Sequence, residues 1–455
     1  MSKKNDLEHT STMLGSQNMK SSQRMVSVVE PYELPEGWTW VKVGEVAEII
    51  NGKNQKEVED ENGIYPIYGS GGIIGRATDF ICPENCTIIG RKGTINNPIF
   101  VETKFWNVDT AFGMKTFDCV APKFYFYFCK SFNFLTLDSS TAIPSLTKSN
   151  IQQIPFPLPP TLAEQQRIVN RIESMFAKLD EAKEKAQNVV DGFETRKAAI
   201  LHKAFTGELT AKWRKENGIE KNKELDFIYN FAQTLSKKDM TNITDFQKQA
   251  YDYVLSDGAV WKKCCIGAIG VITNGSTPSR KEASFWNGNI PWVSSGEVAN
   301  NTIESTNEMI SEEGFNNSSV KKLPIGTVLI AMIGEGKTRG QTSVLNIEAT
   351  TNQNIAAIII NHGHVESKFL WYWLQKEYKN NRTAGNGSGP QALNCQKVRE
   401  LPFILPTLPE QVEIVRILDI IIEKENKAKQ AAETVLEQID LLKKSILARA
   451  FRGEL

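Results

Sequence analysis

Apolar residues recur at alternating steps of four and three in two separate stretches of the chain. This period predicts two long helices that pack against each other along a coiled-coil seam of about five heptads. The alternative is two surface helices, each docked on its own domain. The seam positions that we assign are Ile168, Ile172, Leu179, Val189, Phe193 and Ile200 in the first helix, and Ile414, Leu418, Ile421, Val435, Ile439 and Ile446 in the second.

The two helices are predicted to be antiparallel. The first leads out of one globular segment and into the next, and the second begins where that next segment ends. Arg196 interrupts the first seam and Glu425 interrupts the second. With the helix centres aligned, Arg196 falls near Glu423 and Glu425, and a charge pair there would fix the register of the helices.

The segments that precede the helices have a different pattern. Short apolar runs such as CTIIG, TVLIAMIG and NIAAIIIN alternate with turns rich in Gly, Asn and Ser, which is typical of β-strands. Each segment also contains one aromatic run, PKFYFYFCKSF or SKFLWYWLQKEY, that predicts a helix with its rings in the core.

The chain is one unit written twice. TLAEQQRIVNRI and TLPEQVEIVRIL are related by an offset of 246 residues, as are the endings AFTGEL and AFRGEL. A weaker repeat, at an offset of 223, aligns Trp38 with Trp261, Gly44 with Gly267, and Asn51-Gly52 with Asn274-Gly275. The repeat predicts an α+β fold with pseudo-twofold symmetry, in which an antiparallel pair of long coiled-coil helices separates two β-rich domains.

These patterns divide the chain into six parts. The polar, Ser-rich beginning is predicted to be a disordered tail, and the charged stretch between the halves is predicted to be a linker with some helix. In chain order the parts are the tail (1–33), the first β-rich domain (34–160), the first helix (161–209), the linker (210–256), the second β-rich domain (257–406) and the second helix (407–455).

Composition removes several classes of protein. No run of 18 apolar residues is present, which argues against a membrane span, and the first 30 residues have no apolar stretch of the signal-peptide type. Seven scattered Cys without a CxxC pair indicate reduced core thiols rather than a zinc site, so we expect a cytoplasmic protein. The 53 basic residues balance the 53 acidic ones, which is unfavourable for a free-standing DNA-binding protein.

The stretch AMIGEGKTRG, from Ala331 to Gly340, nearly matches a phosphate-binding loop. Ala331 replaces the first Gly of that pattern, and the residues after Lys337-Thr338 are β-branched and Asn-rich instead of helical. A phosphate-binding loop needs the N-terminus of a helix, so the sequence argues against an NTPase. The loop is better suited to bond DNA phosphates or base edges, and a charged solvent loop is the alternative.

A methyltransferase is the other enzyme that we considered. Gly69-Ser-Gly71-Gly72 lacks the βαβ context of a cofactor loop, and Asn97-Pro98-Ile99-Phe100 has one Pro where an adenine-methylating tetrapeptide has two. The sequence therefore favours a chain without an active site of its own.

Several paired motifs carry a resemblance to a known family. They are LPEGW (Leu34–Trp38), Asn274-Gly-Ser-Thr-Pro-Ser279, Ile290-Pro-Trp-Val-Ser-Ser295, the helix openings Leu162-Ala-Glu-Gln-Gln166 and Leu408-Pro-Glu-Gln411, and the endings AFTGEL and AFRGEL. With the doubled layout over about residues 34–455, the chain resembles the specificity subunit of Type I restriction–modification enzymes.

The resemblance implies two target recognition domains, each reading one half of a split sequence in double-stranded DNA. It implies that the helices set the spacer and dock two modification (methyltransferase) subunits, and that restriction/translocase subunits complete an ATP-driven nuclease. S-adenosylmethionine, ATP and Mg are then expected on the partner subunits, and this chain binds no cofactor and no metal. A coiled-coil adaptor that binds only proteins is the alternative.

Candidate DNA contacts are donors and acceptors on Gly-rich loops, where the backbone can approach a duplex. In the first domain they are Lys53, Gln55, Ser70, Arg76, Arg91, Lys92 and Thr94. In the second they are Ser276, Thr277, Arg280, Ser294, Ser295, Lys337, Arg339, Gln341, Asn386 and Ser388.

Overall fold

A computed structural model describes residues 31–138, 143–217, 251–334, 336–360, 363–383 and 392–455. The chain divides into two compact units, Met1–Glu184 with Val435–Leu455, and Lys185–Thr434. No helix of the described residues is both long enough and apolar enough to span a bilayer.

The first unit contains three sheets. Strand order is β2-β8-β5-β6 in the four-stranded sheet, β4-β3-β7 in the three-stranded sheet and β1-β9 in the two-stranded sheet. Its elements are β1 (Thr39–Lys42), α1 (Val43–Val46), β2 (Ala47–Asn51), β3 (Tyr65–Gly69), β4 (Gly72–Ala77), β5 (Cys86–Gly90), β6 (Ile99–Val101), β7 (Trp106–Asn107), β8 (Ala111–Thr116), α2 (Pro122–Ser131), α3 (Lys148–Gln152), β9 (Pro155–Leu158) and most of α4 (Leu162–Asp191).

The second unit is built on the same plan. Its sheets have the orders β12-β19-β16-β17-β14, β15-β13-β18 and β10-β11-β20. Its elements are α5 (Phe193–Phe205), α6 (Ala211–Asn217), β10 (Tyr251–Val254), β11 (Val260–Cys265), β12 (Gly270–Asn274), β13 (Trp286–Val293), β14 (Thr302–Ile303), β15 (Glu308–Ile310), α7 (Glu312–Asn316), β16 (Val328–Ala331), β17 (Thr342–Leu345), β18 (Thr350–Thr351), β19 (Ile355–Ile360), α8 (Ser367–Lys376), α9 (Tyr378–Thr383), α10 (Cys395–Glu400), β20 (Pro402–Leu405) and most of α11 (Leu408–Phe451).

The predicted domain boundaries can be compared with these elements. Helix α6 and strand β10 lie within the range predicted as the linker, and the intervening residues 218–250 lie outside the described ones. Tyr32 lies within the predicted tail, yet its hydroxyl donates to the carbonyl of Phe451 at 2.8 Å. The described residues of these two segments make tertiary contacts through single side chains, and composition does not reveal such contacts.

In the first unit the two long helices pack on the β-rich domain as well as on each other. Ile168 and Ile172 of α4 and Phe451 of α11 share one core with Phe124 and Phe156 of the domain. The interhelical contacts run antiparallel, because Lys443 bonds Asp180 at 2.5 Å and Asp440 lies 3.9 Å from Lys183.

In the second unit the same arrangement recurs with other residues. Ile414 and Leu418 share a core with Phe369 and the aromatic helix α8, as the aromatic run predicted. Arg196 bonds Glu425 at 2.7 Å, and Lys429 lies over the ring of Phe193, so the helices are again antiparallel. The charge pair predicted for Arg196 therefore forms with Glu425, whereas Glu423 pairs with Lys427 on its own helix.

Gly192 separates α4 from α5 and makes room for this charge pair. A Cβ at Gly192 would lie 2.4 Å from a guanidinium nitrogen of Arg196. Arg196 donates from there to the carbonyl of Val189 at 2.9 Å as well as to Glu425. The predicted single helix is thus interrupted at Gly192, one turn before Arg196 takes a seam position that is otherwise apolar.

The assigned seam positions differ in burial. Ile168, Ile172, Phe193, Ile414, Leu418 and Ile439 are buried, and Leu179, Val189, Ile200, Ile421 and Ile446 are half-buried. Val435 is 39% exposed, so its assignment to the seam needs correction. Ala432 is 7% exposed and Ile439 is buried, so these two residues supply the inward face of this part of α11.

Candidate nucleic-acid interface

An Asn-Gly pair lies at the same position in both units, and the close contacts of its glycine explain why both copies of the repeat contain it. A Cβ on Gly52 would lie 1.8 Å from the carbonyl oxygen of Val108, and one on Gly275 would lie 1.8 Å from that of Thr351. Only glycine permits this approach of two backbones. The turn therefore fixes the residue that follows it, which is Lys53 in the first unit and Ser276 in the second.

The two residues after these turns are held by matching hydrogen bonds. The amide of Lys53 donates to the carbonyl of Asn107 at 3.0 Å, and the amide of Ser276 donates to that of Thr351 at 2.9 Å. An indole N–H donates to each of their carbonyls at 3.0 Å. The indoles belong to Trp106 on edge strand β7 and to Trp292 on central strand β13. The two units therefore form the same indole-to-carbonyl hydrogen bond, but the donor lies on the edge strand of the sheet in one unit and on the central strand in the other.

Four predicted residues of the first unit lie on neighbouring loops at one edge. The amides of Arg91 and Lys92 both donate to the carbonyl of Thr110, at 2.7 and 3.2 Å. Gly93 faces the hydroxyl of Ser70, and the Thr94 carbonyl lies close to Gly90 at the end of β5. Arg91, Lys92 and Thr94 have exposed side chains, and Ser70 is half-buried.

The other predicted residues of the first unit have different surroundings. Lys53 is exposed beside β7, and the half-buried Gln55 accepts backbone bonds from Val58 and Glu59 through its carbonyl. Arg76 lies farther along β4, where its guanidinium donates to the carbonyl of Gly63 at 3.2 Å. Arg76 therefore closes the base of the hairpin, and it is not grouped with Ser70 and Lys92.

In the second unit several predicted side chains already have protein partners. The Thr277 hydroxyl donates to the Gln353 side chain at 2.6 Å. Both the amide and the hydroxyl of Ser294 donate to the carboxylate of Glu297 at 2.9 Å. Ser295 begins a short 3-10 turn directly after Ser294 and is half-buried.

Arg280 is held by a carboxylate and an indole. Both terminal nitrogens of its guanidinium bond to Glu308, and its central carbon lies 3.7 Å from the ring centroid of Trp286. The hydrogen bond from Arg280 lowers the pKa of Glu308 and raises that of Arg280. The fork that was expected to read a base edge is therefore occupied by Glu308.

The loop from Lys337 to Gln341 connects two buried strands. It follows β16 and is succeeded by β17, so no helix begins after Lys337-Thr338 and a phosphate-binding loop does not form. The Lys337 side chain is exposed, while its carbonyl accepts the Tyr378 hydroxyl at 2.7 Å. Gln341 and Arg339 are half-buried, and Asn386 and Ser388 lie outside the described residues.

The cysteines give no sign of a metal centre. All seven are free thiols; Cys119 is exposed and Cys395 half-buried, so not every thiol belongs to the core as the sequence suggested. Burial raises the pKa of Cys86 to about 12. Within the described residues, no three His, Cys, Asp or Glu side chains form a group that could hold a metal ion.

Sequence reasoning did not assign a role to the glutamine that opens each long helix. The Gln165 side chain accepts the amide of Ala121 at 2.8 Å and donates to the carbonyl of Cys119 at 3.0 Å. Gln411 accepts the amide of Glu366 at 2.9 Å and donates to the carbonyl of His364 at 3.0 Å. We call these contacts the glutamine joint. The sequence feature that could have revealed it is the glutamine that both copies of the repeat carry at the offset of 246.

The residue before each glutamine behaves differently in the two units. Glu410 is 1% exposed and bonds Arg214, Thr210 and the indole of Trp261. Glu164 is half-buried and pairs with Arg167 on its own helix at 2.8 Å. Arg214 comes from the stretch predicted as linker, so the repeat alone could not reveal this cluster.

Comparison with known proteins agrees with this architecture. The family model described as Type I restriction modification DNA specificity domain matches residues 35–190 and 259–438. The EcoR124I/EcoR124II specificity subunit of Escherichia coli is 28% identical over 192 residues, which are 40% of this chain and 47% of that protein. The EcoDI specificity subunit of Escherichia coli is 22% identical over 442 residues, which are 93% of this chain and 90% of that protein.

Solved structures show the same fold. The HsdS subunit from Thermoanaerobacter tengcongensis has a TM-score of 0.60 at 18% identity, covering 93% of this chain and 99% of that one. A chain from a study of type I R-M complex assembly and conformational transition has a TM-score of 0.64 at 18% identity, covering 93% and 100%. Because the family model matches well over half of the chain, in two separate copies, the chain belongs to the Type I restriction–modification DNA specificity family and is a DNA sequence-specificity subunit.

Proposed function

We propose that each unit reads one half of a bipartite, asymmetric DNA target. The observation that carries this proposal is the doubling of one sheet plan with different loops on the two copies. Similar scaffolds with different loops are suited to read two different short sequences, since base edges are read by side chains and not by the scaffold. The stretch between the half-sites is then left unread.

The partners and cofactors follow from the same proposal. Two modification subunits dock on the helices and supply much of the sequence-independent grip on DNA, because this chain has no net charge. Restriction/translocase subunits complete the complex. S-adenosylmethionine, ATP and Mg bind those partners, and the specificity subunit contributes target choice and no catalysis. The strand that follows Lys337-Thr338 supports the last point.

The test is co-expression of the chain with a modification subunit, followed by methylome sequencing of the expressing cells. We expect a stable complex and a split motif with modified adenines on opposite strands. A stable complex without a motif would indicate a protein-binding adaptor, and the absence of a complex would contradict the proposed partners.

The helices are proposed to set the spacer of the target. Deleting one matched heptad from each helix removes about 10.5 Å at about 1.5 Å per residue. This length corresponds to about three base steps of about 3.4 Å. We expect the methylome motif to lose about three base pairs of spacer while both half-sites stay the same. An unchanged spacer in a complex that still methylates would show that the helices are not the ruler.

A further inference from the structure

The hairpin of β3 and β4 carries two isoleucines in solvent. Ile73 is 64% exposed and Ile74 is 55% exposed. They follow Gly71 and Gly72, where an added Cβ would meet no atom within 4 Å, so the hairpin tip is open. Single exposed apolar side chains are ordinary, whereas a contiguous group at an open edge marks a contact surface.

A β-bulge lies at the two isoleucines. Tyr68 pairs with Ile73 and Ile67 pairs with Gly75, so Ile74 is an extra residue without a partner on β3. In a regular strand neighbouring side chains point to opposite faces, and an extra residue interrupts this alternation and re-aims a side chain. The bulge therefore frees Ile73 and Ile74 from the requirement to point in opposite directions.

The surroundings of this pair are polar and basic. The Ile74 side chain lies beside Gly69 and the loop of Thr110, whose carbonyl binds the amides of Arg91 and Lys92. Ile143, which is 63% exposed, precedes Pro144, and the Pro144 carbonyl accepts the amide of Gly93 at 3.0 Å. Ile74 and Ile143 thus lie near the loop that contains Arg91, Lys92 and Gly93, and Ile73 precedes Ile74 in the chain.

The charges at this edge favour a polyanion as the occupant. Arg91 and Lys92 are exposed, and the Arg91 guanidinium donates to the main-chain carbonyl of Asp109 at 3.4 Å. Asp138 is a second acidic residue near this loop, because its carboxylate accepts the amide of Ser145, which pairs with Lys92. A basic loop beside an apolar pair suits a duplex that offers phosphates and one apolar group together. In the major groove that apolar group is the C5-methyl of thymine, which no other DNA base carries.

We propose that Ile73 and Ile74 contact the C5-methyl group of at least one thymine in the half-site read by the first unit. This inference rests on the proposed function of that unit as the reader of one half-site. Arg91 and Lys92 hold the adjoining phosphates, and the open Gly71-Gly72 tip lets the hairpin enter the groove.

The test replaces thymine by deoxyuridine, which removes the methyl group and changes nothing else at the base edge. The complex of the full chain with its modification subunit is bound to duplexes in which each thymine of both half-sites is replaced in turn. We expect one half-site to lose affinity by about four-fold at a contacted thymine, from about 0.8 kcal/mol per buried CH₂ and about 1.4 kcal/mol per tenfold change.

The variant I73A/I74A should bind thymine and deoxyuridine duplexes equally at those positions and should keep its requirement for the other half-site. Ile325→Ala is the matched control, because Ile325 is a 57% exposed isoleucine of the second unit. This variant should keep the thymine preference of the natural protein. Unchanged hydrogen exchange in β2, β5 and β8 shows that the first unit of the double variant is folded, and retained reading of the other half-site shows that its second unit is folded.

Two results would overturn the inference. They are the absence of any deoxyuridine effect on the natural protein in either half-site, and an undiminished deoxyuridine effect in I73A/I74A. If I73A/I74A instead lowers co-purification with the modification subunit at an unchanged thymine preference, the pair is a protein contact and the inference is wrong. Failure of the proposed function is a separate result, because the natural complex would then produce no bipartite motif.

Discussion

Glu164 and Glu410 stand at the same position of the repeated helix opening, but only Glu410 is buried. The glutamine after each of them forms the glutamine joint in both units, whereas the glutamate bonds different side chains in the two units. In the second unit the neighbours are Thr210, Arg214 and Trp261, and in the first unit the partner is Arg167 on the same helix. Duplicated positions therefore keep a role where they bond the backbone and diverge where they bond side chains.

The largest expected difference between the units follows from this comparison. Glu410→Ala leaves Arg214, which is 5% exposed, with Asp257 as its remaining ionic partner among the described residues. Breaking a buried pair costs about 3–5 kcal/mol. Because Asp257 still pairs with Arg214, we expect a loss of about 3 kcal/mol in the free energy of unfolding. Glu164→Ala should cost about 1 kcal/mol or less, because its pair is solvent-exposed.

Hydrogen exchange followed by mass spectrometry measures both losses, since it reports the free energy of opening in each unit separately. Exchange in α6, β11 and the start of α11 should accelerate in Glu410→Ala. Equal losses for the two variants would show that burial does not distinguish them.

The glutamine joint should give a smaller and more even effect. Gln165→Leu and Gln411→Leu each remove hydrogen bonds to main-chain groups that are only partly buried, and each lost bond should cost about 0.5–1 kcal/mol, because water can replace the lost partner. Gln411→Leu should cost more, because Gln411 also donates to the carbonyl of Pro406 at 3.0 Å. Gln166→Leu is the control and should cost less than about 0.5 kcal/mol, since Gln166 is exposed. Urea titration with unit-resolved exchange would decide, and similar values for Gln165→Leu and Gln166→Leu would refute the joint.

The smallest expected effect is a pH dependence confined to the second unit. The Arg280 hydrogen bond lowers the pKa of Glu308 below its usual value of about 4.3. The stabilisation is therefore present above that usual value and is lost as pH falls through the lowered pKa. It should amount to about 1 kcal/mol or less, because both side chains are well exposed.

Exchange in β13 and β15 between pH 6 and pH 3, corrected for intrinsic rates, measures this loss. Glu308→Gln should remove the dependence. The first unit carries Gly75 at the matching position of its hairpin, so β3 and β4 provide an internal comparison. An equal acid loss in both hairpins would point to a general cause.

Much of the architecture could be predicted from the sequence, because its signals are local or repeated. The 3.5-residue period located both helices, and connectivity gave their antiparallel direction and the pairing of Arg196 with Glu425. The partner of Arg280 could not be predicted, because Arg280 lies in a loop and Glu308 lies 28 residues away on strand β15. The burial of Arg214 could not be predicted either, because a single buried side chain does not change the polar composition of its segment.

The candidate DNA contacts were only partly predictable. Ser70, Arg91, Lys92 and Thr94 were chosen separately, and the structure brings them to one edge through backbone bonds that no residue pattern encodes. Ile73 and Ile74 were overlooked because apolar residues in a strand are expected to point into a core. The unpaired position of Ile74 depends on a one-residue shift in register, which only the folded hairpin shows.

The glutamine joint has a consequence for how new specificities arise. Gln165 and Gln411 recognise only main-chain groups of the domain that precedes their helix. Any domain that presents a main-chain amide and carbonyl at that place can form the same hydrogen bonds to the helix, whatever its side chains are. We therefore expect genetic exchange of whole reading modules between such chains to be tolerated, so that a new target can be acquired in one recombination event.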